Sequence, residues 1–270
     1  DPWSAGQLWK DGTDLKVSEA FEPDYVEGLD FWVDAQRTPS LFQDEAKATG
    51  VVADGNAVAV WEDRVLGTDY AQTTAASRPV YTVNVINGHP GILFDGTDDY
   101  LETATMLSGY SGSIYWVAEL SVISAHTVVF AEGKTDATSN TVSFGLSHPV
   151  HNSGAIRAAA NTPNDQITSN AATLPTVAAI CCMESNGTVW AGRINGSGQS
   201  FYVRAGSNNG QWWSDQAGDR MTIGARRTQH GGSDPFNGYI GEILVYDSVL
   251  STGDQASVEA YLSRKWGVSL

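Results

Sequence analysis

The feature that most constrains this chain is a succession of short β-prone runs separated by turn signals. Residues 142–146, 177–183 and 239–246 are such runs, and pairs such as Asn195-Gly196 lie between them. Runs at this spacing, with no helical patterns alternating between them, predict an antiparallel sandwich or barrel rather than β-α-β units. The 28 glycines and the low charged share of 17% suit many tight turns. We therefore predict an all-β fold.

One segment near the end has a helical period instead. Ser251, with Asp254 three residues later, is a capping-box-like start, and Gly267 is a typical stop. The apolar residues at helical spacing between them are Val258, Tyr261, Leu262 and Trp266. We predict a C-terminal helix whose apolar side lies on the sandwich.

The net charge excludes some partners. Fifteen basic residues against 31 acidic ones give the 270-residue chain a charge of −16. A surface of this sign repels phosphate backbones and anionic lipid headgroups. We expect neither a nucleic acid nor a membrane as partner, and no apolar run approaches the ~20 residues of a membrane span.

Cys181 and Cys182 are the only cysteines, and they are adjacent. Neighbours on a strand point to opposite faces, so we expect no disulfide between them. The pattern predicts one thiol in the core and one partly exposed. Free thiols fit folding in a reducing cytosol, including that of a virion component assembled inside a host cell.

Five segments form a recognisable series. They are residues 29–35 (LDFWVDA), 60–63 (VWED), 94–101 (FDGTDDYL), 236–247 (FNGYIGEILVYD) and 258–267 (VEAYLSRKWG). In order and number they resemble the conserved elements of laminin-G-like, concanavalin A-like lectin-glucanase jelly rolls. This family occurs in phage structural proteins and marine bacterial surface proteins. The chain departs from the family pattern at residues 64–67, where relatives often have a serine-glycine-asparagine-glycine turn.

The resemblance implies a two-sheet antiparallel β-sandwich, a concanavalin-like jelly roll with a short C-terminal α-helix. It places one laminin-G-like jelly-roll domain over residues 28–270, preceded by an N-terminal arm or lead-in over residues 1–27. Members of the family bind sugars, hold proteins together or serve as passive modules, so the function has to be argued from a site.

Acidic residues on one loop suggest a metal site. Asp95, Asp98 and Asp99 cluster there, and the family layout places Asp63 nearby. Ca²⁺ prefers six to eight oxygen ligands, including carboxylates. The four residues are our candidate Ca²⁺ ligands. The alternative is structural: Asp95-Gly96 makes a turn and Asp98 caps backbone amides.

Exposed aromatic rings are the usual platform for sugar rings. Trp212 and Trp213 lie in a polar stretch, and on a strand one of them would point outward. Arg226, Arg227 and His230 follow in a loop and are candidates for hydrogen bonds to an acidic glycan; the alternative is a solvated turn. The tryptophans assigned to the core are Trp32, Trp61, Trp116, Trp190 and Trp266.

Signals for catalysis are weak. Concanavalin-like glucanases carry a Glu-x-Asp-x-x-Glu triplet, and a retaining mechanism needs two carboxyls about 5–5.5 Å apart. The sequence has no such triplet; Asp30 and Asp34 are better explained by turn and edge hydrogen bonds. His148 and His151 lie in a proline-containing stretch that we interpret as a solvated loop.

The favoured hypothesis is a non-catalytic carbohydrate-recognition or attachment module, with a phage tail or capsid surface as one setting. Its partner would be a polysaccharide or a cell-surface glycan. The alternative is a structural virion or surface protein without a sugar site, whose N-terminal arm contacts other virion or surface proteins. A polysaccharide-degrading enzyme is the least favoured. Each hypothesis places the chain on a virion surface or in an extracellular or cell-surface location.

Overall fold

The structure is a computed structural model that describes residues 21–122, 126–146, 155–161, 164–170 and 177–270, together with the backbone of residues 8–11 and 14–17. The described strands are β1 (Leu8–Asp11), β2 (Asp14–Val17), β3 (Leu29–Asp34), β4 (Leu41–Phe42), β5 (Val60–Glu62), β6 (Asp69–Ala71), β7 (Val80–Ile86), β8 (His89–Asp95), β9 (Leu101–Thr103), β10 (Gly112–Leu120), β11 (Thr127–Gly133), β12 (Val142–Leu146), β13 (Ile156–Asn161), β14 (Asn164–Ser169), β15 (Ala179–Ser185), β16 (Trp190–Ile194), β17 (Ser197–Gly198), β18 (Phe201–Ala205), β19 (Arg220–Ile223), β20 (Arg226–Thr228), β21 (Gly231–Ser233) and β22 (Asn237–Tyr246). Within the same described residues, four short 3-10 helices span Pro23–Tyr25, Thr38–Ser40, Ala75–Ser77 and Trp213–Asp215, and one α-helix, α1, spans Thr252–Trp266.

Two large antiparallel sheets form a sandwich, as predicted. The ten-stranded sheet has the order β18-β14-β13-β12-β11-β19-β9-β6-β5-β4. The eight-stranded sheet has the order β17-β16-β15-β10-β22-β8-β7, with β3 also paired to β22. The two sheets meet at aromatic contacts such as Phe31 of β3 with Phe130 of β11, whose ring centroids are 4.8 Å apart.

Strand β22 is the centre of the eight-stranded sheet. It pairs with β10 along one side. On its other side the first half pairs with β8, where Asn237 is opposite Asp95, and the second half pairs with β3, where Val245 is opposite Phe31. One strand near the chain end therefore joins three strands that come from distant parts of the sequence.

Helix α1 begins and ends where the sequence predicts. The Ser251 hydroxyl accepts a hydrogen bond from the Asp254 N–H at 3.2 Å, which caps the first turn. Gly267 ends the helix in the left-handed conformation, with φ at 65°. The predicted apolar side is buried against the eight-stranded sheet at Val258, Tyr261, Leu262 and Trp266.

The core tryptophans are assigned correctly, and the cysteines only in part. Trp32, Trp61, Trp116, Trp190 and Trp266 are all buried. Cys181 and Cys182 are free thiols, as expected, but the prediction that one is partly exposed is wrong because both are buried. Helix α1 packs on β15 and covers the outer face of that strand.

Two further expectations, on a membrane span and on the N-terminal arm, can be compared only with the residues that the structure describes. In the described part of the chain, the structure has no helix with the length and apolar character of a membrane span. Strands β1 and β2 form an antiparallel hairpin inside the predicted N-terminal arm, with Leu8 opposite Val17. The domain division at residues 27 and 28 stays a prediction.

Candidate functional site

The predicted metal loop brings three carboxylates together. One oxygen of each of Asp95, Asp98 and Asp99 lies within 4.8 Å of the others. Asp99 is buried, and burial raises its pKa to about 6, while the N–H of Asp95 donates to it at 3.0 Å and opposes this rise. The charges of Asp95 and Asp98 add to the rise. Three carboxylates at this spacing suit a hard cation such as Ca²⁺.

The same loop has a structural explanation. The Asp95 carboxylate accepts hydrogen bonds from the N–H groups of Thr97 at 2.7 Å and Asp98 at 3.4 Å, around Gly96 in the left-handed conformation. The Ser77 hydroxyl donates to Asp98 at 2.5 Å. Backbone capping and a shared cation are compatible, so Ca²⁺ binding stays a prediction.

Asp63 was expected to join this loop, and that expectation is wrong. The three-carboxylate group found among the described residues does not include it. Its carboxylate accepts hydrogen bonds from the N–H groups of Trp32 at 2.8 Å, Val65 at 3.1 Å and Leu66 at 2.9 Å. Both oxygens are thus used to hold the turn after β5, which carries Arg64.

The predicted aromatic platform is also wrong. Trp212 is 0% exposed and Trp213 is 2% exposed, so neither offers a face to a sugar. A 3-10 turn begins at Trp213 instead of a strand, which removes the inward-outward alternation. Both rings point into the core, where their centroids lie 4.9 and 5.4 Å from the Phe144 ring.

Strands β20 and β21 form a hairpin that carries the other predicted sugar-binding residues. Arg226 contacts Asp234 at 3.5 Å, Arg227 contacts Glu102 at 2.9 Å, and His230 is exposed at the turn. The structure therefore brings Arg226, Arg227 and His230 together on one hairpin, but not with the two tryptophans. Both arginines are already paired with carboxylates.

The residues considered for catalysis give no new support for it. Asp34 accepts a hydrogen bond from the Gln36 N–H at 2.9 Å, which is the turn role expected of it. Burial raises the pKa of Asp30, and the charges of Asp247 and Asp63 add to this. His148 and His151 lie outside the described residues.

An open cleft of about 710 Å³ lies between α1 and the loop that follows β3. We call it the cation cleft, because its lining is rich in basic side chains. Its lining residues are Phe21, Glu22, Asp34, Gln36, Arg37, Pro39, Arg64, Tyr261, Arg264 and Lys265. A second, smaller cleft of about 360 Å³ shares Arg64 with it.

A buried carboxylate, that of Glu242, positions one wall of the cation cleft. Glu242 accepts hydrogen bonds from Trp32 Nε1 at 2.7 Å, Trp266 Nε1 at 2.6 Å and the Tyr261 hydroxyl at 3.0 Å. Lys265 Nζ lies 2.9 Å from Glu242 and neutralises its charge. This network fixes the position of α1 on the sheet, and with it one wall of the cleft.

Lys265 and Arg64 are held in different ways. Lys265 Nζ also contacts Asp34 at 2.7 Å and the Tyr261 hydroxyl at 2.9 Å, so its three donors are occupied. The guanidinium of Arg64 lies over the Trp32 ring, with Cζ 3.3 Å from the ring centroid. The nearest carboxylate to Arg64 is Asp34 at 3.9 Å, which is longer than a charge-assisted hydrogen bond.

The cation cleft was missed because its residues are scattered along the sequence between positions 21 and 265. One signal was available. At residues 64–67 the sequence departs from the turn that the laminin-G-like resemblance implies, and Arg64 is the first residue of that departure. This departure indicates where Arg64 lies in the sequence, but it does not indicate which residues Arg64 contacts.

Comparisons with known proteins give structural neighbours only. No protein-family model and no curated protein sequence matches the chain significantly. A carbohydrate-binding module, CBM40, of the Ruminococcus gnavus IT-sialidase, solved with α2,3-sialyllactose, has a TM-score of 0.47 at 16% identity over 55% of this chain and 82% of its own. The NanB sialidase of Streptococcus pneumoniae has a TM-score of 0.48 at 16% identity over 61% of this chain and 27% of its own.

A third neighbour covers more of the chain. Domain 4 of the arabinanase AbnA from Geobacillus stearothermophilus, solved with arabinotriose, has a TM-score of 0.49 at 12% identity over 87% of this chain and 98% of its own. Similarity of this degree carries no functional argument, because one sandwich architecture serves many unrelated functions. The function has to be argued from the clefts and loops themselves.

Proposed function

We propose that this chain is a non-catalytic carbohydrate-recognition module that holds a saccharide in the cation cleft. The cleft itself is the observation that carries the proposal. Its volume of about 710 Å³ lies in the range of small-ligand sites, and its lining combines ring surface with polar groups. Sugars need both, because their C–H faces stack on apolar surface while their hydroxyls form hydrogen bonds.

Two aromatic rings line the cleft, beside Pro39. Phe21 and Tyr261 have centroids 6.2 Å apart at an interplanar angle of 60°, and both line the cleft. Phe21 is only partly buried, so part of its ring remains available for contact. Gln36 lies on the same lining, where its amide Nε2 is buried without a hydrogen-bond partner among the described residues.

One of the two acidic side chains in the cleft lining has a structural role that disfavours a part in hydrolysis. Of the two carboxylates in the cleft, Asp34 is held by Lys265 at 2.7 Å and by the Gln36 N–H. A general acid or base must be able to exchange a proton with the substrate. Asp34 is instead committed to a structural ion pair.

A glycan array tests this proposal. The intact chain is screened with and without Ca²⁺, beside a Phe21→Ala variant that removes a ring from the cleft. The matched control is Tyr110→Ala, which removes a ring that is 64% exposed and does not line the cleft. We expect saccharide binding that Phe21→Ala weakens and Tyr110→Ala leaves unchanged. The absence of any bound saccharide, or equal loss in both variants, would contradict the proposal.

The setting of the module stays a prediction. A phage tail, a capsid, or an extracellular or cell surface would each present it to a polysaccharide or a cell-surface glycan. The structural alternative, in which the N-terminal arm contacts other virion or surface proteins, is likewise a prediction.

A further inference from the structure

We infer that the cation cleft selects saccharides that carry a carboxylate, an inference that rests on the proposed function. Four of the chain's 15 basic residues line this one cleft, and only two acidic residues line it with them. Lys265 is balanced by the buried Glu242, which leaves three arginines against Asp34 and Glu22, a local excess of one positive charge on a chain whose net charge is −16. An anionic group would be attracted there and repelled elsewhere.

Three of the four basic groups keep donors that a ligand can use. Lys265 does not, because Asp34, Glu242 and Tyr261 occupy its ammonium. Arg64 lies on Trp32 with its nearest carboxylate at 3.9 Å.

The remaining two arginines are freer. Arg37 and Arg264 are exposed, and neither forms an ion pair within the parts of the chain that the structure describes. The basic residues of the hairpin β20–β21 differ in this respect, since Arg226 and Arg227 are both paired. The cation cleft is therefore the better candidate for binding an external anion.

The chemistry of these groups specifies the ligand. A guanidinium presents parallel N–H donors that match a carboxylate bidentately. Phe21, Pro39 and Tyr261 add apolar surface beside them, which suits the C–H face of a sugar ring. A long polyanion would be repelled by the rest of the surface. A sugar acid such as a hexuronate meets all three conditions.

Isothermal titration calorimetry of the intact chain can test this selectivity. The ligands are galacturonate, glucuronate and mannuronate trisaccharides, each beside its neutral methyl ester, with sodium acetate as a simple anion. We expect at least one acid to bind about tenfold or more tightly than its ester, as for the loss of one charged hydrogen bond. Raising the salt concentration should weaken the binding of the acid and not that of the ester.

Charge-removing variants locate the contact. Arg37→Gln and Arg264→Gln should each weaken binding of the acid about tenfold, and the two effects should be absent for the ester. Both side chains are exposed, so thermal melts should show that the variants remain folded. Arg227→Gln is the matched control, because it removes the same charge from the hairpin β20–β21 and not from the cleft.

The outcomes separate this inference from the proposed function. Equal affinity for acid and ester would overturn the carboxylate selectivity and leave saccharide recognition intact. Acetate binding as tightly as the trisaccharide acids would overturn the inference, because the sugar ring would then contribute nothing. Loss of acid binding in Arg227→Gln alone would move the site to the hairpin and overturn it as well. Absence of binding by every acid and ester, together with an empty array, would overturn both proposals.

Discussion

The ammonium group of Lys265 lies 2.9 Å from the carboxylate of Glu242, which is 0% exposed. Burial raises the pKa of Glu242, and the charge of Lys265 opposes that rise. Removing one partner of a buried ion pair leaves an uncompensated charge and typically costs about 3–5 kcal/mol. We expect Lys265→Met to lower the free energy of unfolding by this amount in urea titrations. Lys265→Met combined with Glu242→Gln should recover part of the loss.

Arg264→Met provides the control for that experiment. It changes a basic residue one position earlier on the same helix, but its side chain is exposed. Arg264→Met should change the free energy of unfolding by no more than about 0.5 kcal/mol. A Lys265→Met variant as stable as Arg264→Met would show that the buried network does not anchor α1.

Glu132 should make the free energy of unfolding depend on pH. It is 1% exposed, and burial raises its pKa to about 8 from an ordinary 4.5. Below 4.5 the carboxyl is protonated in both states; between 4.5 and 8 the unfolded chain releases the proton while the native state keeps it. Stability therefore falls as pH rises through this window, by up to ~5 kcal/mol.

Glu132→Gln should remove this fall. The amide oxygen can still accept the Gly218 N–H, which donates to Glu132 at 2.6 Å. We expect equal stability of the two proteins near pH 4.5 and a more stable variant near pH 8, measured by urea unfolding at several pH values. If the free energy of unfolding changes with pH in the same way in both proteins, the fall in stability cannot be assigned to Glu132.

Ca²⁺ binding at Asp95, Asp98 and Asp99 predicts a rise in melting temperature when millimolar Ca²⁺ is added. Asp98→Asn should abolish the rise. Affinity should fall as the pH decreases through about 6, because Asp99 must be ionised to bind the cation. Asp136→Asn is the control, since that side chain is 75% exposed and lies outside the cluster. Identical Ca²⁺ responses in both variants would exclude this site.

Trp212 should behave as a core residue. Trp212→Ala removes a ring that contacts Phe144 and Trp213, and we expect it to cost about 3–5 kcal/mol of stability in denaturant titrations. Trp212→Phe keeps most of the packing and should cost much less. Trp212→Ala should reduce glycan binding only in proportion to the fraction of the protein that it unfolds. Lost binding in a fully folded Trp212→Ala protein would restore the original platform hypothesis.

The parts of the fold that could be predicted depend on local signals. Strand runs, turn pairs and the caps at Ser251 and Gly267 are short-range features, and the structure places the helix and the sandwich where they indicate. The burial of Trp212 and Trp213 could not be predicted from local sequence signals. Their orientation is set by the 3-10 turn and by the contact with Phe144, which lies about 70 residues away in sequence.

The site was less predictable for the same reason. Three acidic residues within one loop were visible as a cluster, and the structure keeps them together. Asp63 was assigned to them from the laminin-G-like resemblance, whereas its carboxylate accepts hydrogen bonds from the N–H groups of Val65 and Leu66 in the turn after β5 and of Trp32 on β3. The cation cleft depends on Arg37, Arg64 and Arg264, which only tertiary packing brings to one place.

The position of β22 also has a consequence for how the protein is made. This strand is the shared neighbour of β3, β8 and β10, yet it spans Asn237–Tyr246 and follows all three in sequence. Until Asn237–Tyr246 has been synthesised, those three strands have no central partner, and the edges that β22 covers stay open to pairing with other chains. The sheet can close only after β22 has emerged from the ribosome, so the chain is exposed to edge-to-edge mispairing until then.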